Sequence, residues 1–180
     1  MPISSLFRRN PIRVKSYEAY GQVVAQARSP GFFLALEVPD TLDGRFELIA
    51  LHVFLVLNRL KAEHDRTAVF GQAVFDAMFA DLDRGLREMG AGDLGVGRRV
   101  KAMATGFYGR VVAYEQGLAG SDGALGEALT RNLYGTVVPG PDAVAGMVRY
   151  IHGQVAALGG VPIDDLLSGN IRFGSLAIEK

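Results

Sequence analysis

The chain has 180 residues, 49% of them hydrophobic and 21% charged, so it is long enough for one buried core and too apolar for disorder. Lysine plus arginine equals aspartate plus glutamate, so no overall field favours a polyanion, and no specific DNA binding is expected. The absence of cysteine excludes disulfides, thiolate metal sites and cysteine nucleophiles.

The predicted elements are all helices, because apolar residues recur at helical spacing and no alternating strand pattern occurs. In chain order, the sequence predicts a helix from Ser16 to Arg28, a short helical turn at 30–36, and a long helix from a cap at Asp40 or Thr41 to Lys61. Two further helices are predicted from Thr67 to the glycines near 90 and over 96–118. The last helices run from a cap at Ser121 to Tyr134 and from a cap at Asp142 to Leu158, followed by one last turn at 161–167.

This pattern predicts an all-α fold, a single-domain orthogonal or irregular bundle of about six to eight helices. Residues 16–167 are expected to form the helical domain. Residues 1–15 are expected to be a flexible basic segment, and residues 168–180 an irregular tail. The most apolar stretch, 46–57, is too short to span a bilayer and carries Glu47 and His52. No apolar run follows Arg8 and Arg9, so no secretory signal is expected and a soluble cytoplasmic protein is predicted.

The glycine run at 90–97, GAGDLGVG, contains the G-x-G-x-x-G pattern of dinucleotide-binding turns. Such a turn follows a buried strand and opens a helix onto the pyrophosphate. Here the preceding residues are charged and amphipathic at helical spacing, which favours a joint between two helices with Gly90 as a left-handed cap. Asp93 is a candidate cap for the next helix. An NAD-dependent enzyme remains the weaker alternative.

Neither a metal site nor a catalytic site is indicated by the remaining polar residues. The three histidines occur in no Glu-x-x-His or H-E-x-x-H pattern. His52 is predicted to be a core histidine bonded to a neighbour, and His64 to be solvated. Asp83 and Arg87 form a favourable i,i+4 pair, so the carboxylates of that helix need no catalytic role. No cofactor is expected.

Five segments in order resemble a known family: LHVFLVLNRLK (51–61), GQAVFDAMFADLDRGLREMG (71–90), FYGRVVAY (107–114), RNLYG (131–135) and VRYIHGQVAAL (148–158). Together they look like the ubiquinol–cytochrome c chaperone family, over residues 17–158. The resemblance implies an all-helical, non-enzymatic chaperone for assembly of the respiratory ubiquinol–cytochrome c reductase. It also implies newly made cytochrome b as the client, a small helical co-chaperone as a possible partner, and a location in the cytoplasm or peripherally at the inner membrane. Without a long N-terminal extension, the chain resembles a bacterial member.

A chaperone for a membrane protein needs an apolar groove with a charged rim. By position in the matching segments, the residues expected to bind the partner are Asp76, Asp83, Arg87, Phe107, Tyr108, Arg110, Tyr114, Arg131, Asn132 and Tyr150. For Phe107 and Tyr114 the alternative is a place in the core.

Two basic clusters have no assigned role. Arg8, Arg9, Arg13 and Lys15 are candidates for contact with the ribosome or the membrane surface, and Arg98, Arg99 and Lys101 form the second cluster. Solvated surface is the alternative for both. A helical scaffolding or protein-binding module with another client is the second functional hypothesis, because it would need the same kind of apolar groove.

Overall fold

The structure, a computed structural model, describes residues 10–88, 90 and 93–176, without the side chains of residues 93 and 94. Over these residues the chain forms helices and no strand, which confirms the predicted all-α fold. The helices are α1 (Pro11–Ala27), α2 (Gly31–Leu34), α3 (Leu42–Lys61), α4 (His64–Glu88), α5 (Asp93–Ala119), α6 (Asp122–Asn132), α7 (Pro141–Gly159) and α8 (Ile163–Leu167).

Short polar side chains begin three of the helices. Asn10 accepts a hydrogen bond from the backbone N–H of Ile12 (3.1 Å), and Pro11 follows as the first helical residue. This cap starts α1 five residues before the predicted Ser16, so Arg13 and Lys15 lie in a helix, while Arg8 and Arg9 lie outside the described residues. The predicted caps Thr41 and Ser121 are confirmed. The hydroxyl of Thr41 accepts a hydrogen bond from the N–H of Gly44 (3.1 Å), and that of Ser121 accepts one from the N–H of Ala124 (3.2 Å).

Two other helix starts differ from the prediction. Helix α4 begins at His64 rather than Thr67, whose hydroxyl instead donates to the carbonyl of Leu60 (2.7 Å) and joins α4 to the end of α3. Helix α7 is preceded by Gly140 rather than capped by Asp142, because Pro141 takes the first helical position and places Asp142 in the first turn.

The glycine run joins two helices, as predicted. Gly90 has a left-handed φ of 83° and donates its N–H to the carbonyl of Arg87 (3.0 Å) at the end of α4. Asp93 is the first residue of α5 rather than the residue before it. Residues 89, 91 and 92 lie outside the described part of the chain. Since a helix rather than a strand precedes the glycines, the geometry of a dinucleotide-binding turn is absent from the described flanks.

Helix α3 forms the centre of the bundle. Twelve of its twenty residues are buried, so it is apolar on nearly every face. It packs against α1, α4, α5 and α7, while α5 lies along α6 and crosses α4. Burying this helix removes most of the apolar surface of the segment 46–57 from water, which accounts for its hydropathy without a membrane. Among the described helices, none combines the length and hydropathy of a membrane span.

Residues 168–176, which follow α8, have no regular structure, but side chains of α1 and α7 hold them. The Gln22 amide accepts from the N–H of Ile171 (2.9 Å), and Gln154 accepts from the N–H of Gly174 (2.7 Å) and donates to its carbonyl (3.1 Å). Ile171 is buried in the core. The C-terminal segment therefore closes the bundle against its first and seventh helices.

Candidate functional site

Exposed apolar side chains mark two grooves that flank the first half of α4. Ile12 is 38% exposed, Val69 67% and Tyr108 59%, which is high for side chains of their size. Each of the three lines one of the grooves. A cluster of exposed apolar groups at a concave surface is typical of a protein-binding site.

The first groove lies between α1 and α4 and has a volume of about 660 Å³. Its α4 wall carries small side chains spaced about one turn apart, and its α1 wall carries Tyr17, over whose ring the Arg13 guanidinium lies at 5.9 Å. The lining residues are Asn10, Ile12, Arg13, Tyr17, Ala68, Val69, Gln72, Ala73, Asp76, Ala77 and Ala80.

The second groove lies between α3, α4 and α5 and has a volume of about 450 Å³. Aromatic rings line it: the Phe75 ring centroid is 5.5 Å from that of Phe107 and 5.6 Å from that of Tyr108. An ion pair between Lys61 and Glu115 (2.8 Å) forms part of its edge. The groove is therefore apolar at its centre and charged at its rim.

The two grooves meet on α4. Ala68 and Gln72 line both of them, so the grooves form one continuous surface, which we call the α4 surface. Gln72 donates to the carboxylate of Asp76 (2.8 Å), which orients this acid within the first groove. An extended or helical apolar segment can lie along such a surface, with its charges directed to Arg13, Asp76 or Lys61 at the edges.

Of the predicted residues, three belong to the α4 surface and three to a separate pocket. Asp76 lines the first groove, and Phe107 and Tyr108 line the second, although the ring of Phe107 is buried and only Tyr108 is open to solvent. The three residues in the separate pocket, which lies beside the start of α3, are Arg110, Arg131 and Asn132.

Tyr150 belongs to a buried network rather than to a groove. His52 donates from Nδ1 to the carbonyl of Leu48 (2.7 Å), so its Nε2 accepts the hydroxyl proton of Tyr150 (2.7 Å), and Gln26 donates to the same hydroxyl (3.0 Å). Burial lowers the pKa of His52 to about 4, so the ring is neutral. The prediction of a core histidine bonded to a neighbour is confirmed. His64, as predicted, is exposed.

Tyr114 is also buried, at 1% exposure, and packs against Phe54 with ring centroids 5.4 Å apart. Its hydroxyl has no hydrogen-bond partner among the described residues, and burial raises the pKa of this phenol. The partner-binding role predicted for Tyr114, Phe107 and Tyr150 stays a prediction. In this structure their rings stabilise the core.

The predicted pair of Asp83 and Arg87 is confirmed on an exposed stretch of α4, at 2.7 Å. The hydrogen bond from Arg87 lowers the pKa of the Asp83 carboxyl. Neither residue lines the α4 surface. No group of three or more metal-binding side chains occurs in the described part of the chain.

The first groove is not predicted from the sequence, although one signal for it exists. Ala68, Ala73, Ala77 and Ala80 follow one another about a turn apart, on a face of α4 beside its large apolar stripe. A row of alanines beside an exposed Val69 indicates a shallow wall for another helix or segment. Tyr17, the other wall, lies far away in sequence and has no such signal.

Comparison with known proteins places the chain in a family. A family model described as "Ubiquinol-cytochrome C chaperone" matches residues 34–173. A crystal structure of the Cbp3 homolog from Brucella abortus superposes with a TM-score of 0.82 at 36% sequence identity, covering 97% of this chain and 98% of that one.

Relatives from eukaryotes are more distant and longer. The chain is 26% identical to ubiquinol-cytochrome c reductase complex assembly factor 1 of Mus musculus over 94% of its own length, but it spans only 57% of that protein. It is 28% identical to the mitochondrial protein CBP3 of Saccharomyces cerevisiae, over 79% of this chain and 44% of the yeast protein. The match of the family model and of the Brucella structure over most of the chain shows that it belongs to the ubiquinol-cytochrome c chaperone family.

Proposed function

We propose that this protein is an assembly factor for ubiquinol–cytochrome c reductase and that it binds cytochrome b on the α4 surface. The observation that carries the proposal is the α4 surface itself, two joined grooves with an apolar centre and charged edges. The family match and the names of the relatives, which are assembly factors of this complex, support the reductase as the complex that the client belongs to.

The geometry suits temporary protection of a membrane segment. An apolar segment of the client is shielded from water when it covers Val69, Phe75 and Tyr108, and each large side chain that it buries contributes about 1.5–3 kcal/mol. Side chains at the edge, such as Asp76 and Lys61, orient the segment through its charged flanks. The open shape of the surface allows release once the client is assembled. This action requires no covalent chemistry, so we infer a binding protein rather than an enzyme.

The location follows from the client. Cytochrome b is a membrane protein, so a chaperone that binds it works beside the membrane, and we propose a peripheral association with the inner membrane. The cations Arg13 and Lys15 lie near the start of α1, and Arg13 itself lines the first groove. This placement supports contact between the N-terminal end of the molecule and an anionic surface. A small helical co-chaperone and contact with the ribosome remain predictions.

The test is site-specific photo-crosslinking in cells that make the reductase. A photo-reactive amino acid replaces Val69 in one variant and Tyr108 in another, both exposed side chains of the α4 surface. Matched controls replace Leu34, 86% exposed, and Val138, 97% exposed, which line neither groove. We expect adducts with cytochrome b from positions 69 and 108 and none from 34 and 138.

A substitution series completes the test. Val69→Asp and Tyr108→Asp place a charge on the surface without disturbing the core, and we expect each to reduce co-purified cytochrome b at least about fivefold, with Leu34→Asp unchanged. Equal crosslinking from all four positions contradicts the assignment of the surface. A different protein captured from 69 and 108, with cytochrome b absent, favours the second candidate, a helical binding module with another client.

A further inference from the structure

A polar pocket separate from the α4 surface lies between the start of α3, the first half of α5 and the end of α6. Its volume is about 460 Å³. We call it the arginine pocket, because three arginines contribute to its wall. The lining residues are Asp43, Gly44, Phe46, Glu47, Arg99, Ala102, Met103, Arg110, Arg131, Asn132, Leu133, Gly135 and Thr136.

One of the arginines is fully engaged within the protein. Arg110 donates through two nitrogens to the carboxylate of Glu47, and its guanidinium lies over the ring of Phe46 at 5.9 Å. Gly106 leaves the space for this arrangement, since a Cβ at that position would lie 2.8 Å from Nη1 of Arg110. The paired Glu47 and Arg110 therefore contribute little net charge to the pocket.

The other two arginines are not engaged. Arg99, from α5, and Arg131, from α6, are exposed and make no hydrogen bond or ion pair with any described residue. They come from different helices yet line the same pocket. Unpaired guanidinium groups that converge on a concave site are typical of the recognition of a planar anion.

The net charge of the pocket wall favours an anion with a single negative charge. Three arginines and two carboxylates, Asp43 and Glu47, leave one net positive charge on the wall. A single carboxylate balances it, whereas a phosphate near −2 would lie against two carboxylates with excess charge. Asn132 donates its amide to the carbonyl of Ala128 (2.8 Å), and its side-chain oxygen, an acceptor, makes no hydrogen bond with any described residue.

We propose that the arginine pocket binds a carboxylate-bearing segment of a partner protein, with Arg99 and Arg131 holding the carboxylate. The apolar side chains of Met103 and Leu133 at the wall contact the aliphatic part of the segment. The site is distinct from the α4 surface, so one molecule can hold a segment at each. Association through this pocket weakens as salt increases, since exposed charges carry it.

The test is fluorescence anisotropy of the full chain at low salt with a labelled heptapeptide, amidated at its C-terminus, that carries glutamates in an alanine–serine background. A matched peptide carries glutamines instead. We expect saturable binding of the glutamate peptide only, and a loss of affinity of at least about fivefold in the double variant Arg99→Gln/Arg131→Gln.

The control is Arg98→Gln/Lys101→Gln, which removes the same charge from exposed residues of α5 that do not line the pocket. We expect it to change the affinity less than about twofold. Equal losses in both double variants would mean diffuse attraction and would overturn the proposal. So would equal binding of both peptides, no binding of either, or stronger competition by inorganic phosphate than by acetate at equal ionic strength. Tyr108→Asp, on the α4 surface, leaves this binding unchanged.

Discussion

Two buried tyrosine hydroxyls differ in their contribution to the stability of this protein. The hydroxyl of Tyr150 has two partners, His52 and Gln26, and it satisfies a buried imidazole nitrogen. The hydroxyl of Tyr114 is buried with no partner among the described residues. A satisfied buried group stabilises the fold modestly, whereas an unsatisfied one retains the full cost of its lost hydration.

Removing these two hydroxyls is therefore expected to change the free energy of unfolding in opposite directions. Tyr150→Phe leaves Nε2 of His52 without a partner, and we expect it to lower the free energy of unfolding by about 1–2 kcal/mol. Tyr114→Phe removes an unpaired oxygen at nearly unchanged shape, and we expect no loss or a gain of up to about 1 kcal/mol. Urea unfolding of both variants measures the difference. A larger loss in Tyr114→Phe would show that its hydroxyl has a partner.

Burial of His52 makes stability depend on pH. The pKa of His52 is about 4 in the folded protein, against 6.5 for an ordinary histidine. Between these two pH values the imidazole is protonated in the unfolded chain and neutral in the folded protein. The contribution of His52 to the free energy of unfolding is fully present above pH 6.5. It is lost as the pH is lowered toward 4, by about 3 kcal/mol in total. Unfolding of the wild type and of His52→Gln across this range isolates the contribution. Parallel pH profiles of the two proteins would contradict it.

At the scale of elements, the position of α5 depends on how closely it approaches α6. At Gly117 a Cβ would lie 2.8 Å from the Cα of Leu125, so a backbone atom of α6 occupies the space of a side chain. Gly109 lies in the same helix with no other heavy atom within 4 Å of such a Cβ. The two glycines are a matched pair, one required by packing and one not.

We expect Gly117→Ala to separate α5 from α6 and to cost about 1–3 kcal/mol. Gly109→Ala, by contrast, is expected to stabilise the protein by about 0.5–1 kcal/mol, because alanine has the higher helix propensity and meets no neighbour. Denaturant unfolding measures both free energies. If both variants gain stability, the close approach of the helices is not required.

Across the molecule as a whole, the segment 168–176 after α8 joins the first helix to the seventh. It lies against α1 and α7 through Gln22 and Gln154, and Ile171 enters the core at 4% exposure. Its neighbour Arg172 is exposed and pairs with Asp165 at 3.1 Å. Burial, rather than regular secondary structure, makes this segment part of the bundle.

We expect Ile171→Ala to cost about 2–4 kcal/mol and to lower Tm by about 5–10 °C, because it removes buried methyl groups from the core. Arg172→Ala removes only an exposed ion pair and should cost less than about 1 kcal/mol. Thermal unfolding followed by circular dichroism compares the two. Similar melting temperatures of the two variants would mean that packing of the segment through Ile171 does not contribute to the stability of the bundle.

Local sequence features predict the helices and the buried histidine of this protein. Helical periodicity, the caps Thr41 and Ser121, and the left-handed Gly90 are local features, which neighbouring residues set through backbone geometry and short-range hydrogen bonds. The starts of α1 and α4 were misplaced because Asn10 caps before a proline and Thr67 bonds to the preceding helix.

Which residues share a surface depends on how the helices pack together. The first groove joins Tyr17 of α1 to Val69 of α4, and the arginine pocket joins Arg99 of α5 to Arg131 of α6. Likewise, the packing of α5 buries Phe107 and leaves Tyr108 exposed, although both are adjacent aromatic residues. Periodicity assigns a residue to a face of its own helix. What that face meets depends on how distant helices pack, and this is set by the core as a whole.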